Sequence, residues 1–302
     1  MKQMVFPVRL CHHVRMAMKS SPLGQWRQFS QQNTIGRSSV NRQRYSLAIA
    51  RQVPNSFAKA ITKYAATASA SDRVEPISVL QARAQSDHYI KTLRKYVPTL
   101  VLPPLHEHPD SVFVEDTVVA IGKTAVITKP GHPSRQGEVD TIQEVLGQLG
   151  YKVVDMRDHE SALCDGGDVL YTGRHLFVGL SERTNSEAVQ VLETAFEREL
   201  IAVPMNGDEQ ALHLKSIVTH MDESTLLAPI GRVGDQILQA MNAESNGYTV
   251  IRLPSMLACN VVAVNGGILA QHTGCPESKA LLVNAAKERQ LDIEFVSHSE
   301  FA

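Results

Sequence analysis

From residue 117 onward the chain repeats one order of elements, and this repetition limits the fold more than any single motif. "TVVAIGKTAVIT" is two short apolar runs around Gly122-Lys123, a hairpin signal. "GEVDTIQEVLGQLG" then puts Val139, Ile142, Val145, Leu146 and Leu149 on one helical face, with Gly150 as a C-terminal stop, and "YKVVDM" is a strand. The order returns in "DVLYTGRHLFVGL", "SEAVQVLETAFERE" and "LIAVPM", and again in "SIVTHMDESTLLAPI", "GDQILQAMNA" and "YTVIRLP". "NVVAVNGGILAQ", "ESKALLVNAAKERQ" and "DIEFVS" make the fourth pass. Units that cannot bury their own apolar faces must stack on their neighbours, so the reading is a ring of ββαβ units.

Upstream lies part of a fifth unit. "YSLAIA" is a strand, residues 76–95 a helix and "PTLVLP" a strand, so this unit has one hairpin strand where the others have two. The other is expected from the far end of the chain, which stops at Ala302 just after the fourth unit's last strand. The expected fold is α/β, a five-module α/β propeller with its closing strand absent.

Composition narrows the function. The 302 residues carry a formal net charge of -1, with 43% hydrophobic and 20% charged residues, which suits a large core and argues against a polyanionic partner such as nucleic acid. No run approaches the ~18 apolar residues of a membrane span. Cys11, Cys164, Cys259 and Cys275 show no CxxC spacing, so neither a zinc site nor a disulfide framework is signalled, and a reducing compartment, the cytoplasm, is expected. Residues 1–44 are basic and acid-free. They read either as a transit-like leader, which implies a mitochondrial destination, or as a disordered segment, and are excluded from the folded domain, residues 45–302.

Four ordered motifs, "HPDSVFVED", "GHPSR", "CDGGDVLYTGRHLFVGLSERTN" and "LHLKS", resemble those of the dimethylarginine dimethylaminohydrolases of the pentein, or amidinotransferase, superfamily. The resemblance runs from about residue 45 to the C-terminus. It implies a pentein propeller around a pseudo-fivefold axis and hydrolysis of methylated arginine to citrulline and dimethylamine, a reaction of arginine metabolism and nitric-oxide regulation. It implies no cofactor and no metal.

The implied substrate explains the residue types. A guanidinium is a planar cation whose fork of N–H donors matches a carboxylate. Glu115 and Asp165 are assigned to it, because neighbours on an extended chain point to opposite faces, and Asp116 either supports the pocket or binds from an adjacent turn. Arg135 and Arg183 match the family's arginines for the α-carboxylate, at the other end of the pocket. His213, by itself an ordinary core histidine, matches the general acid that protonates the departing amine. Asp110 and Phe113 complete the floor, and Thr62, or Ile61 if the register slips by one, covers the substrate.

The chain departs from the family at the nucleophile. The resemblance implies a thiolate from a Cys-Cys segment on the last strand, attacking the guanidinium carbon, and none of the four cysteines matches it. The expectation is therefore a dimethylargininase truncated at its C-terminus and inactive as it stands. The alternatives are a methylarginine- or arginine-binding pseudoenzyme, and an arginine or agmatine deiminase-type hydrolase. Agmatine has no carboxylate for the paired arginines. Oligomeric state is not legible.

Overall fold

The computed structural model describes residues 5–8, 45–61, 76–205 and 212–301; Cys11 and Thr62 lie outside the described residues. Module one comprises β4 (Val118–Ile121), β5 (Thr124–Ile127), α2 (Asp140–Gln148) and β6 (Lys152–Asp155). Module two holds β7 (Val169–Tyr171), β8 (Leu176–Leu180), α3 (Ser186–Phe196) and β9 (Ile201–Pro204). Module three holds β10 (Thr219–Asp222), β11 (Thr225–Pro229), α4 (Arg232–Ala240) and β12 (Thr249–Leu253). Module four holds β13 (Val262–Val264), β14 (Gly267–Gln271), α5 (Pro276–Glu288) and β15 (Asp292–Val296). In each, the first strand pairs antiparallel with the second and the second pairs parallel with the third, the helix making the crossover.

The remaining module corrects an expectation. Its β2 (Leu47–Arg51), α1 (Val79–Leu93) and β3 (Thr99–Leu102) are those read from sequence, but β2 does not present a free edge. β1 (Val5–Val8), from within the supposed leader, pairs antiparallel with it in the register Val5↔Ala50 to Val8↔Leu47. The sheet order β1-β2-β3 matches that of the other four. An unpaired strand edge is a row of unsatisfied donors and acceptors, and "VFPV" satisfies it. Pro7 has no N–H to give, and the edge of a sheet is where a strand tolerates that. The ring is therefore closed from the N-terminal side.

The core shows why the modules need one another. It is divided into five clusters, each joining two neighbouring sheets, and the last returns to the first. β2 illustrates this: Leu47 and Ile49 face α2 of module one, whereas Ala48 and Ala50 face α1 and the strands of module four. Alternate residues of one strand thus enter two different cores, which is why middle strands read as continuous apolar runs. The α2 face is as expected, with Val139, Ile142, Leu146 and Leu149 buried. The β13–β14 hairpin turns on Asn265 and Gly266, both at positive φ, the geometry that favours an Asn-Gly pair. The Asn265 amide also accepts from the Tyr45 N–H and donates to the Tyr45 and Tyr96 carbonyls, riveting module four to the split module.

Candidate active site

Three short 3-10 turns, Val114–Thr117, Gly166–Asp168 and Leu214–Ser216, stand immediately before or close to β4, β7 and β10, the innermost strands of modules one to three. Equivalent turns of a ring converge on its axis, which brings Asp116, Asp165 and His213 together. One ligand atom from each lies within 4.8 Å of the others, all three residues being buried. His213 Nε2 is 3.0 Å from Asp165 Oδ2. Asp116 Oδ1 accepts the Gly167 N–H at 2.9 Å, and Asp165 Oδ1 accepts the Gly131 N–H at 2.9 Å. The closeness of these groups explains the Gly-Gly of "DGGD": a Cβ on Gly167 would stand 2.8 Å from both the Asp116 carboxylate and the His213 ring. Asp168 fixes the frame, accepting from Ser181, Thr184 and the Leu214 N–H.

The adjacent acids face different spaces. In a 3-10 turn successive side chains diverge by about 120°. Asp116 therefore joins Asp165 and His213, while Glu115 turns to the other side, where it pairs with Lys215. That pair lines an axial cavity walled by β4, β7, β10 and β13. Glu115 and Asp165, both assigned to the guanidinium from sequence, have different partners, Lys215 and His213. Burial pushes the Glu115 carboxyl up to about 7, with Lys215 opposing.

Arg135 is also placed differently from expectation. Its guanidinium is not opposite the acids but among them, 2.6 Å from Asp116 Oδ2, 3.9 Å from Asp165 Oδ2, and held by both oxygens of Glu138. Burial alone would lower its pKa, but Asp116 and Glu138 outweigh this and raise it well above the usual value. The second arginine, Arg183, is half-buried at the rim and, among the described residues, makes no ion pair. Its backbone packs against Gly131, where a Cβ would come within 2.6 Å. Asp110 accepts the Ile61 N–H on both oxygens at 3.1 Å, which fastens the segment leading to residue 62 onto the floor of the site. Phe113 is buried against Phe57 and Phe301.

Burial alone would lower the His213 pKa; Asp116, the hydrogen bond to Asp165, and Asp168 together reverse this and raise it. A histidine with a raised folded pKa contributes stability that is full below its unfolded value, about 6.5, and lost as pH rises through the folded value. The stability difference between the wild type and His213→Gln is therefore expected to be larger at pH 6 than at pH 9, measured by urea denaturation at both. A difference that grows with pH would contradict the charge arrangement.

No described cysteine joins this cluster. The Cys164 and Cys259 thiols are buried, with pKa values pushed up, that of Cys259 to about 12. Cys275 caps α5, its sulfur accepting the Ser278 N–H. The three donors converge closely enough to share one cation, and the Arg135 guanidinium beside Asp116 adds a positive charge at the edge of that space. Sequence reasoning missed Lys215 and Glu138. The first lies two residues beyond His213 in "LHLKS", and the second stands three residues after Arg135, the spacing of neighbours on one helical face.

Comparison with known proteins identifies the family. A family profile described as "N,N dimethylarginine dimethylhydrolase, eukaryotic" matches residues 54–286. An N(G),N(G)-dimethylarginine dimethylaminohydrolase of Streptomyces coelicolor is 34% identical over 211 residues, covering 68% of this chain and 77% of that protein. The Pseudomonas aeruginosa enzyme of the same name is 31% identical over 192 residues, covering 63% and 72%. The solved structure of a cysteine-to-serine mutant of the Pseudomonas aeruginosa protein, complexed with citrulline, superposes with a TM-score of 0.72 at 26% identity, covering 86% of this chain and 94% of that one. With a pentein-type ring and a family match across most of its length, the chain belongs to the dimethylarginine dimethylaminohydrolase family.

Proposed function

We propose that this chain binds an arginine methylated on its guanidinium, in the orientation that leads to citrulline and dimethylamine. The convergence of Asp116, Asp165 and His213 carries the reading. Each oxygen of these two buried carboxylates already has a partner, but each keeps a further lone pair for the N–H fork of a planar cation, and away from water such contacts are charge-assisted and strong. His213, held toward its protonated form by the same carboxylates, is the donor to the departing amine. Arg183, free of acidic partners among the described residues, takes the α-carboxylate. Ligands without a carboxylate, such as agmatine, are disfavoured. Ile61, tied to Asp110, is placed to cover the bound amino acid.

Turnover needs a thiolate beside His213 to attack the guanidinium carbon and form a thiouronium ester, which water then hydrolyses. Among the described residues no cysteine belongs to the Asp116, Asp165 and His213 cluster. The reading is tested by titration calorimetry with asymmetric dimethylarginine, with a citrulline assay on the same sample. Binding is expected, and its absence would overturn the reading. Arg183→Ala should weaken binding at least about tenfold, since a charged contact is worth roughly 1.5–3 kcal/mol. Unchanged affinity in both Arg183→Ala and Asp165→Asn would remove the site from consideration.

A further inference from the structure

Glu138 lies outside the motifs that carry the family resemblance, yet it is 1% exposed and both its oxygens are engaged. It sits on the turn Pro133–Val139 that presents Arg135. Arg135 Nε meets Oε1 at 3.1 Å and Nη2 meets Oε2 at 2.8 Å, the two-point geometry in which a guanidinium loses its freedom to rotate. Held this way, the guanidinium directs Nη1 at Asp116, 2.6 Å away, and the other oxygen of Asp116 is left to the Gly167 N–H beside the His213 ring. The chain of contacts runs Glu138, Arg135, Asp116 and then the shared space with Asp165 and His213.

We propose that Glu138 is a positioning residue of this site: its bidentate grip fixes the Arg135 charge against Asp116, and so sets both the aim of that carboxylate and the field at His213. A water-exposed surface acid would do neither, because an unheld arginine would take many rotamers. The groups that face this arrangement are Asp116, Asp165 and Asp168 on the turns around His213, Asp110 and Arg51 near Glu138, and the Glu115–Lys215 pair on the far side of the Val114–Thr117 turn. The part of the argument that concerns ligand rests on the function proposed above; the coupling between Glu138 and His213 does not.

The test compares Glu138→Gln and Glu138→Asp with the wild-type chain, reading the titration of the His213 ring by NMR, with His213→Gln supplying the assignment. Glu138→Gln removes a negative charge from the network while keeping its shape, so the His213 midpoint should fall, by on the order of one pH unit. Glu138→Asp keeps the charge and is too short to hold both nitrogens; the midpoint should stay within about 0.3 unit of wild type, while affinity for dimethylarginine drops about tenfold. A purely structural role for Glu138 predicts that both variants lose stability and neither separates the two readouts, and that result overturns the proposal. If Glu138→Gln does not fold, Glu138→Asp decides alone, unchanged affinity counting against the proposal. Absence of binding to the wild type would instead dispose of the proposed function and leave the NMR comparison standing.

Discussion

Shortening the chain by its first eight residues is expected to lower the thermal midpoint by about 10 °C, although its sequence marks that segment as dispensable. β1 is paired over four residues with β2, and its loss bares the edge of a strand whose five residues are all buried. At about 1 kcal/mol for each ladder hydrogen bond, with Pro7 donating none, the loss is about 3 kcal/mol. A domain of this size shifts by roughly 2–4 °C for each kcal/mol. Removing only residues 1–4 is the control and should change little. Equal midpoints for the two shortened chains would mean that β1 adds nothing to the ring.

The second large effect concerns the buried charges. Asp116→Ala should cost about 3–5 kcal/mol in urea denaturation, the usual penalty for removing one partner of a buried ion pair, because Arg135 stays 3% exposed with one acid fewer. The same substitution should abolish measurable binding of dimethylarginine. Glu115→Gln is the informative contrast. Its partner Lys215 is the more accessible of the two, 13% exposed against 8%, and a neutral amide still accepts a hydrogen bond, so the loss should stay below about 2 kcal/mol. Equal costs for the two substitutions would mean that the neighbouring acids are not as differently housed as their contacts indicate.

Much of this architecture was legible because repetition supplies its own check. The α2 face, the Gly150 stop, the Asn265-Gly266 turn and the closing strand of every module follow from local periodicity and turn chemistry. β1 was not legible, since "VFPV" sits in an acid-free segment with no hairpin partner nearby, and only the ring shows that an edge awaits it. The site was half legible. The family resemblance pointed to Asp110, Phe113, Asp165 and His213, and the structure gathers Asp165 and His213 with Asp116. Which of Glu115 and Asp116 faces His213 depends on a 3-10 turn where an extended strand was assumed, a difference of backbone geometry that two adjacent acidic letters do not encode. The position of Arg135 among the acids was not legible because Glu138, a residue no motif had singled out, holds it there.

The rivet between Asn265 and the carbonyls of Tyr45 and Tyr96 has a consequence in time. Its partners are 220 and 169 residues apart in sequence, whereas each hairpin and crossover inside a module is local. Contacts that distant gain nothing until the intervening chain is ordered, so modules one to three have every reason to form while the seam is still open. During synthesis the strands of the split module must therefore wait for a neighbour made much later. The seam between them is the last junction to close, and in the finished protein it is the natural place for the ring to part first.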